Sequence, residues 1–492
     1  MLNGKGNPGN CIMEILSAPF WTELLSLTAQ PLYLVGGSVR DLLIDAPHIK
    51  DFDLLMPSGS EDVARAFAGR IGGSFFVLDD ERKVTRVVKR EAGGPVQFDF
   101  TNFDGPDLHA DLARRDFTIN AMAVDVRGLL GTRSLDGLVD LFCGREDIRQ
   151  RLIRVVDPRV LNGDPLRLLR AVRFAATLGF TIERSTALYI RDRADLVVQP
   201  SAERIRDELF QILSVPGAGR HLLLMESLGL LRKLLPELES LKDFAPGKHH
   251  IYDILTHSIT TAGYVDDVLA RIPVVSPGHA VTVLAHLDQE LEQFVTRGAA
   301  LRFACLLHDN AKSDTFTSDG EGNVHFFGHD TIGSETALII CRRFRLSNET
   351  SSVVSRLIRH HMRPLNLSVP GGPSKRALYR YCRDLKDAVP ESIVLSLADA
   401  KATSEAMPAD GFTDTQKVSG QVLDYYYSKY LKTEAKPFVT GKDLIARGMK
   451  AGPIFRDILD DIKERQADGT LQDRQEALAY LDASAAHKEH DR

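Results

Sequence analysis

The 492-residue sequence is poor in cysteine, holds a single tryptophan and has no long apolar run. Its five cysteines, Cys11, Cys143, Cys305, Cys341 and Cys382, are odd in number, scattered and never spaced as C-x-x-C. That argues against a disulfide-stapled fold and a thiolate zinc site, and it suits a reducing compartment. No stretch approaches transmembrane length, and the N-terminus lacks a charged segment leading into an apolar one. The expectation is a soluble, cytoplasmic protein with no membrane partner. Charge of one sign is also scarce: a formal net charge of −6 does not advertise a nucleic-acid binder, although a local basic surface suffices for one. With 43% hydrophobic and 26% charged residues the chain is ordinary and globular. Its length exceeds a single core and implies roughly three or four domains.

Residues 31–53 organise what is present. Leu32 to Val35 reads as a short buried strand, ended by Gly36-Gly37, after which Ser38 is placed to cap a helix containing Val39, Arg40, Asp41 and Leu42. A strand feeding a glycine turn and a helix N-terminus offers backbone N–H groups to a phosphate. Lys50 to Leu55 reads as a second strand, whose period of two puts Asp51 and Asp53 on one face. Adjacent carboxylates repel unless a cation lies between them, so this face asks for Mg²⁺. Together these features suggest phosphoryl or nucleotidyl transfer.

Ile12 to Leu27 reads as a leading amphipathic helix after a loose 1–10 segment. Strands are predicted at 32–35, 50–56, 74–78, 84–89, 96–101 and 122–126, with a hairpin following Lys83–Lys89. In Val96 to Thr101 the apolar residues take one face and Asp99 the other, as an additional carboxylate or as a plain exposed position. Arg114 and Arg115 beside Asp116 allow a surface ion pair. Asn120, leading into an apolar strand, needs a polar partner, which a ribose and triphosphate would supply. From about residue 151 the pattern turns helical. Asp164-Pro165 opens a helix that puts Asp164 next to Arg167, and Arg170 next to Arg173. Asp164 and Arg167 are then either a cap and a solvated arginine or an acceptor and donor for a base edge.

GGSVRDLL and DFD at 36–53, RRDFTINAMA at 114–123, DPLRLLRAVRFAATLGF at 164–180 and SAERIRDEL at 201–209 resemble, in this order, the class II tRNA nucleotidyltransferase/poly(A) polymerase family. The resemblance covers roughly residues 30–240 and implies an α+β protein. A small mixed or antiparallel-sheet head would be followed by an all-α neck, an HD helical domain and a helical tail. It implies that Asp51, Asp53 and Asp99 are catalytic, the first two binding Mg²⁺. Gly36, Gly37 and Arg40 would contact the triphosphate. Arg115, Asp116 and Asn120 would form the sugar and triphosphate motif. Asp164 and Arg167 would read the base of CTP or ATP, with Arg170 and Arg173 on the same helix also at the nucleotide. Where the family usually has an acidic residue before that Asp, this sequence has Gly163. Transfer to a tRNA 3′ end from CTP and ATP then needs no general-base histidine, and none lies in these motifs.

Residues 250–405 hold a second constellation: His257 in a helix, His308-Asp309 after an apolar helix, Lys312, His329, His360-His361, and Asp399 inside an apolar run. Imidazoles and carboxylates without thiolates suit a divalent ion. The order resembles the HD phosphohydrolase superfamily. His257, His308, Asp309 and Asp399 match its core, His329 and His361 look like ligands for a second metal, and Lys312 fits the His-Asp-x-x-Lys form. The expected ion is Mn, Ni, Fe, Zn or Mg, and a metal-competent phosphatase or phosphodiesterase is favoured over a fossil scaffold. His325 and His360 read as bystanders. In the tail, which resembles the tRNA-approaching C-terminal piece of the same family, Lys442, Arg447 and Lys450 are candidate RNA contacts.

The expected divisions are an N-terminal extension 1–29, a nucleotidyltransferase head 30–150, a neck 151–245, an HD domain 246–405 and a tail 406–492. The expected function is addition or repair of the tRNA 3′ CCA end. The rivals are a poly(A) polymerase or a CC-only or A-only enzyme, an HD phosphohydrolase with an RNA-binding N-terminal half, and an inert RNA-binding protein.

Overall fold

The computed structural model describes residues 18–46, 49–80, 83–244, 253–319, 321, 323–369, 371–406, 411–449 and 452–489. The chain divides into two compact units, Met1–Pro200 and Ser201–Arg492. The neck expected over 151–245 is shared between them, its first part packing within the first unit.

The first unit is built on a seven-stranded sheet of β1 (Tyr33–Val35), β2 (Asp51–Met56), β3 (Ser74–Asp79), β4 (Val84–Glu91), β5 (Gly94–Asn102), β6 (Met122–Asp125) and β7 (Leu138–Asp140). The order is β3-β4-β5-β2-β1-β6-β7. β2 and β5 are parallel and the other neighbours antiparallel, so the sheet is mixed. The expected strands are all present. β7 was not expected, because three residues between turns are too few to display alternation. The region read as all-α also contains a small parallel pairing of Leu152–Ile153 with Thr181–Ile182.

Alternation along β2 and β5 drives Phe52, Phe98 and Phe100 into a buried cluster with Phe20, Trp21 and Phe67. Trp21 meets Phe52 edge-on at 5.3 Å, and Phe67 meets Phe98 likewise at 5.1 Å. Each such side chain contributes on the order of 2–3 kcal/mol by leaving water. Burial of this face leaves Asp51, Asp53 and Asp99 on the other, with Asp53 and Asp99 paired in register. Of the leading helix expected over Ile12–Leu27, the described residues show Phe20–Ser26, and residues 1–17 lie outside the described set. The helix Leu166–Leu178 buries Leu168, Leu169 and Val172 and ends at Gly179, whose φ of 67° is the left-handed cap glycine allows.

The second unit is helical. Ile254–Val275 packs along Val389–Ala406, and His329–Arg343 along Asn348–His360. The wholly buried Arg297–Leu307 touches three of these helices. A separate small core of Val439, Leu444, Ile462, Leu471, Ala477 and Leu481 holds the tail together. Among the described residues no helix is long and apolar enough to cross a membrane.

Candidate functional sites

In the first unit β1 ends at Val35 and the helix Gly36–Leu43 starts at once. Gly36 has φ +65°, and a Cβ there would lie 2.8 Å from Asp53 Oδ2 and 3.0 Å from Arg115 Nη1. Glycine is thus required both by conformation and by close approach. Ser38 does not cap this helix, contrary to the expectation. Its buried Oγ donates to the Asp51 carbonyl (3.0 Å) and accepts from the Asp53 N–H (2.7 Å), fastening the helix start to β2.

Burial pushes the Asp53 carboxyl up to about 6; the Asp99 charge adds to this, while Arg115, the Gly37 N–H and Arg40 pull it down. Asp51 is also raised, first by burial and then, against Arg86, by Asp99 and Asp41. Asp99 lies beside them as expected, but both its oxygens are gripped by Arg86, at 2.7 Å each. Among the described residues, the groups of three or more donors within 4.8 Å of one another are in the second unit, not here. What the head offers a cation is an all-oxygen face whose carboxyls are uncomfortable as bare anions, the chemistry of a hard divalent ion.

The RRDF segment behaves as a scaffold. Arg114 pairs with Asp104, and Arg115 bonds Asp111 at 3.1 Å. Buried Asp116 accepts from the Phe117 N–H (2.8 Å) and Asn120 Nδ2 (3.1 Å) on one oxygen, and from Arg170 Nε (3.0 Å) and Nη2 (2.8 Å) on the other. Burial opposes its ionisation, but Arg170 and Asn120 prevail and hold it near 2. A sugar hydroxyl reaches Asp116 only in exchange for one of these bonds. The partner Asn120 needed is Arg40, whose Nη1 donates to its Oδ1 at 2.8 Å. A chain Arg40–Asn120–Asp116–Arg170 therefore joins the glycine turn to the helix Leu166–Leu178.

Asp164 precedes that helix and accepts from the Leu166 N–H at 3.3 Å, but the cap position expected for it falls to Pro165, because the helix starts at Leu166. Arg167 Nη1 donates to the Arg114 and Val160 carbonyls at 2.9 and 3.4 Å. Arg114 and Val160 also line a cleft of about 540 Å³ with Phe142, Val156 and Arg159. Phe174, which the sequence reading passed over, gathers three guanidiniums: Arg173 at 4.0 Å, Arg170 at 5.2 Å and Arg40 at 5.3 Å from its ring centroid. An aromatic four residues after one arginine and beside another was the available signal.

In the second unit the expected His and Asp residues converge. Asp399 Oδ1 is 3.0 Å from His257 Nε2 and 3.7 Å from His308 Nε2. Asp309 lies at the centre. Its Oδ2 faces Lys312 Nζ (2.7 Å), His308 Nε2 (3.2 Å) and His257 Nε2 (3.8 Å), and its Oδ1 faces His329 and His361 Nε2 at 3.8 and 3.7 Å. Two overlapping donor groups result, His257–His308–Asp309 and Asp309–His329–His361. The rings of His308, His329 and His361 each place Nδ1 2.7–2.8 Å from the backbone carbonyl three residues earlier, Cys305, Phe326 and Ile358. A carbonyl only accepts, so Nδ1 carries a proton, and it is at Nε2 that each ring in its neutral form presents a lone pair. His329 and His361 Nε2 are 3.2 Å apart; where both rings are neutral two lone pairs face one another, and either a proton on one Nε2, which then donates to the other, or a bound cation reconciles them.

Burial would lower His308, but Asp309 lifts it to about 8; burial with His308 nearby drops His361 to about 4. Asp309 is held well below the usual carboxylate range: burial opposes this, and His308 and Lys312 overcome it. His360 and Asp399 stand outside both donor groups, Asp399 reaching them through its contacts to His257 and His308. In the tail Lys442 is exposed, Arg447 is paired with Asp482, and Lys450 lies outside the described residues.

Family models match the chain: the Poly A polymerase head domain over residues 32–154, the probable RNA and SrmB-binding site of polymerase A over 179–242, and the HD domain over 255–403. The A-adding tRNA nucleotidyltransferase of Deinococcus radiodurans is 32% identical, over 91% of this chain and 94% of that protein. The chain belongs to the tRNA nucleotidyltransferase family. The CC-adding tRNA nucleotidyltransferase of Thermus thermophilus is 30% identical over 95% of this chain and 96% of its own. The solved Bacillus stearothermophilus CCA-adding enzyme in complex with CTP shares the fold, with a TM-score of 0.60 at 23% identity over 98% of this chain and 100% of that one. In this tRNA nucleotidyltransferase the donor groups of the second unit have the spacing to hold a metal ion and lie within the HD match.

Proposed function

We propose that the protein extends the 3′ end of tRNA to CCA in the cytoplasm, taking CTP and ATP. The observation that supports this most is Asp53, raised to about 6 and set directly beneath the Gly36 turn where helical N–H groups begin. Asp51 and Asp53 are the residues to hold Mg²⁺, which when bound neutralises the triphosphate and its leaving pyrophosphate. Asp99, clamped by Arg86, shapes the charge around them. Gly36, Gly37, Arg40 and Arg115 receive the phosphates, and Asp116 and Asn120 hold the arginines and the sugar side in place. Asp164 and Arg167, beside the 540 Å³ cleft, present an acceptor and a donor to the base, with Arg170 and Arg173 flanking Phe174. Placement and charge supply the catalysis. Incubating the protein and Mg²⁺ with tRNA lacking CCA, then sequencing the ends, tests the reading. Addition of CCA supports it and no addition sinks it. A second reading, addition of CC alone or A alone, is favoured by the names of the Thermus and Deinococcus relatives, and the same sequencing separates it.

The HD site is proposed as a phosphohydrolase of nucleotide 2′,3′-cyclic or 3′ phosphates, using Mn, Ni, Fe, Zn or Mg at His257, His308, Asp309, His329, His361 and Asp399. The convergence of His329 and His361 Nε2 with Asp309, and of His257 and His308 with the same carboxylate, supports a bound cation. Hydrolysis by the metal-loaded protein, absent after chelation and restored by one of these ions, tests it.

A further inference from the structure

The hairpin Thr317–Ser318 with Val324–His325 runs straight into the turn that delivers His329. Two phenylalanines occupy that turn and do opposite things. Phe326 points inward: its ring lies 6.1 Å from Phe316 and 6.4 Å from His329, Lys312 Nζ sits 5.4 Å above it, and its carbonyl holds His329 Nδ1. Phe327 is 78% exposed, well above the next phenylalanine among the exposed large hydrophobics of the described residues, Phe76 at 50%. One face of its ring lies parallel to His325, 5.1 Å between centroids and 13° between planes. His325 is steadied in turn by Asp319 at 3.5 Å.

A phenylalanine ring left in water forgoes burial, and its open face is available to a ligand. A flat ring matches the open face, as the parallel imidazole of His325 matches the other. Phe327 is two residues from His329, which keeps it within about 7 Å of that ligand's Cα. Gly328, with φ +80°, and the helix beginning at His329 fix the segment between them. An aromatic surface one short span from a phosphate-cleaving centre suits a ligand with a planar ring at one end and a phosphate ester at the other.

We propose that Phe327, backed by His325, is a stacking platform for a nucleobase, and that the HD site selects phosphate esters of nucleosides or RNA ends over base-free ones. This rests on the HD site being a phosphohydrolase. Base stacking on an aromatic side chain tolerates any base, so the platform gives selection for a base without reading which one. It also gives His325 a role in place of the bystander reading.

The test uses the full-length protein loaded with Mn²⁺, adenosine 2′,3′-cyclic phosphate as the nucleoside ester and glycerol 1,2-cyclic phosphate as its base-free counterpart. Phe327→Ala is expected to raise KM for the nucleoside ester about ten-fold with kcat within about two-fold. Phe327→Tyr should restore it, and turnover of the glycerol ester should be unchanged in both. An unchanged KM, or equal losses on both esters, overturns the platform. If the wild-type protein cleaves neither ester, the phosphohydrolase reading fails, and binding decides the platform. In Phe327→Trp the new tryptophan is exposed while Trp21 is buried, so adenosine 3′-monophosphate should quench the exposed emission and glycerol phosphate should not. Absence of that difference overturns the proposal.

Discussion

Asp53 does its work at the expense of the fold. Its carboxyl sits at about 6 rather than 3.8, so the folded state favours the protonated form. Stability is therefore lost as pH rises from about 4 to 6, and the deficit, about 3 kcal/mol, persists at neutral pH. Asp53→Asn should raise the melting temperature of the metal-free protein at pH 7 while lowering nucleotide incorporation by at least about 10²-fold. Thermal melts beside single-turnover incorporation check both halves, and a lower melting temperature would contradict the account. Asp116 has the opposite sign. Held near 2, it contributes about 2 kcal/mol that is fully present above 3.8 and lost as pH falls through about 2. The stability gap between wild type and Asp116→Asn in urea melts should accordingly narrow between pH 4 and 2.

At the scale of elements, the glycine turn is the joint that brings helix, strand and arginine together. Gly36→Ala meets both a left-handed φ and a carboxylate oxygen 2.8 Å from the added Cβ. Displacing Asp53 by even about 1 Å should lower nucleotide incorporation about 10²-fold while leaving the circular dichroism of the protein unchanged. The joint was legible in the sequence because it rests on local signals: an apolar run, two glycines and a period of two. The sequence also placed the histidines of the second unit, since each lies at or beside a helix end that its neighbours announce. Pairings set by tertiary register were not legible. Arg86 opposes Asp99 only because β4 and β5 align in that register. Ser38 looks like a cap until β2 is brought alongside it, and Phe174 shows its three arginines only once the helix has packed.

At the scale of the whole molecule, the nucleotidyltransferase and HD sites belong to different compact units. Asp309→Ala should abolish the proposed phosphohydrolase activity and leave nucleotide incorporation within about two-fold; Asp53→Asn should do the reverse. Assaying both reactions on both variants checks this. The tail predicts an asymmetry in tRNA affinity. Exposed Lys442 is available to a phosphate, whereas Arg447 already serves Asp482. Lys442→Ala should lessen the slope of log affinity against log salt by about one, and Arg447→Ala should change it less. Titrations of labelled tRNA over a range of salt measure both slopes.

Three of the four imidazoles in the HD centre are oriented by main-chain oxygens rather than by side chains. No point substitution deletes a peptide carbonyl. The aim of these rings is consequently insulated from mutational drift around them. Such a centre would fail abruptly, by loss of a ligand or the fraying of a helix end, rather than by gradual loosening of its surroundings.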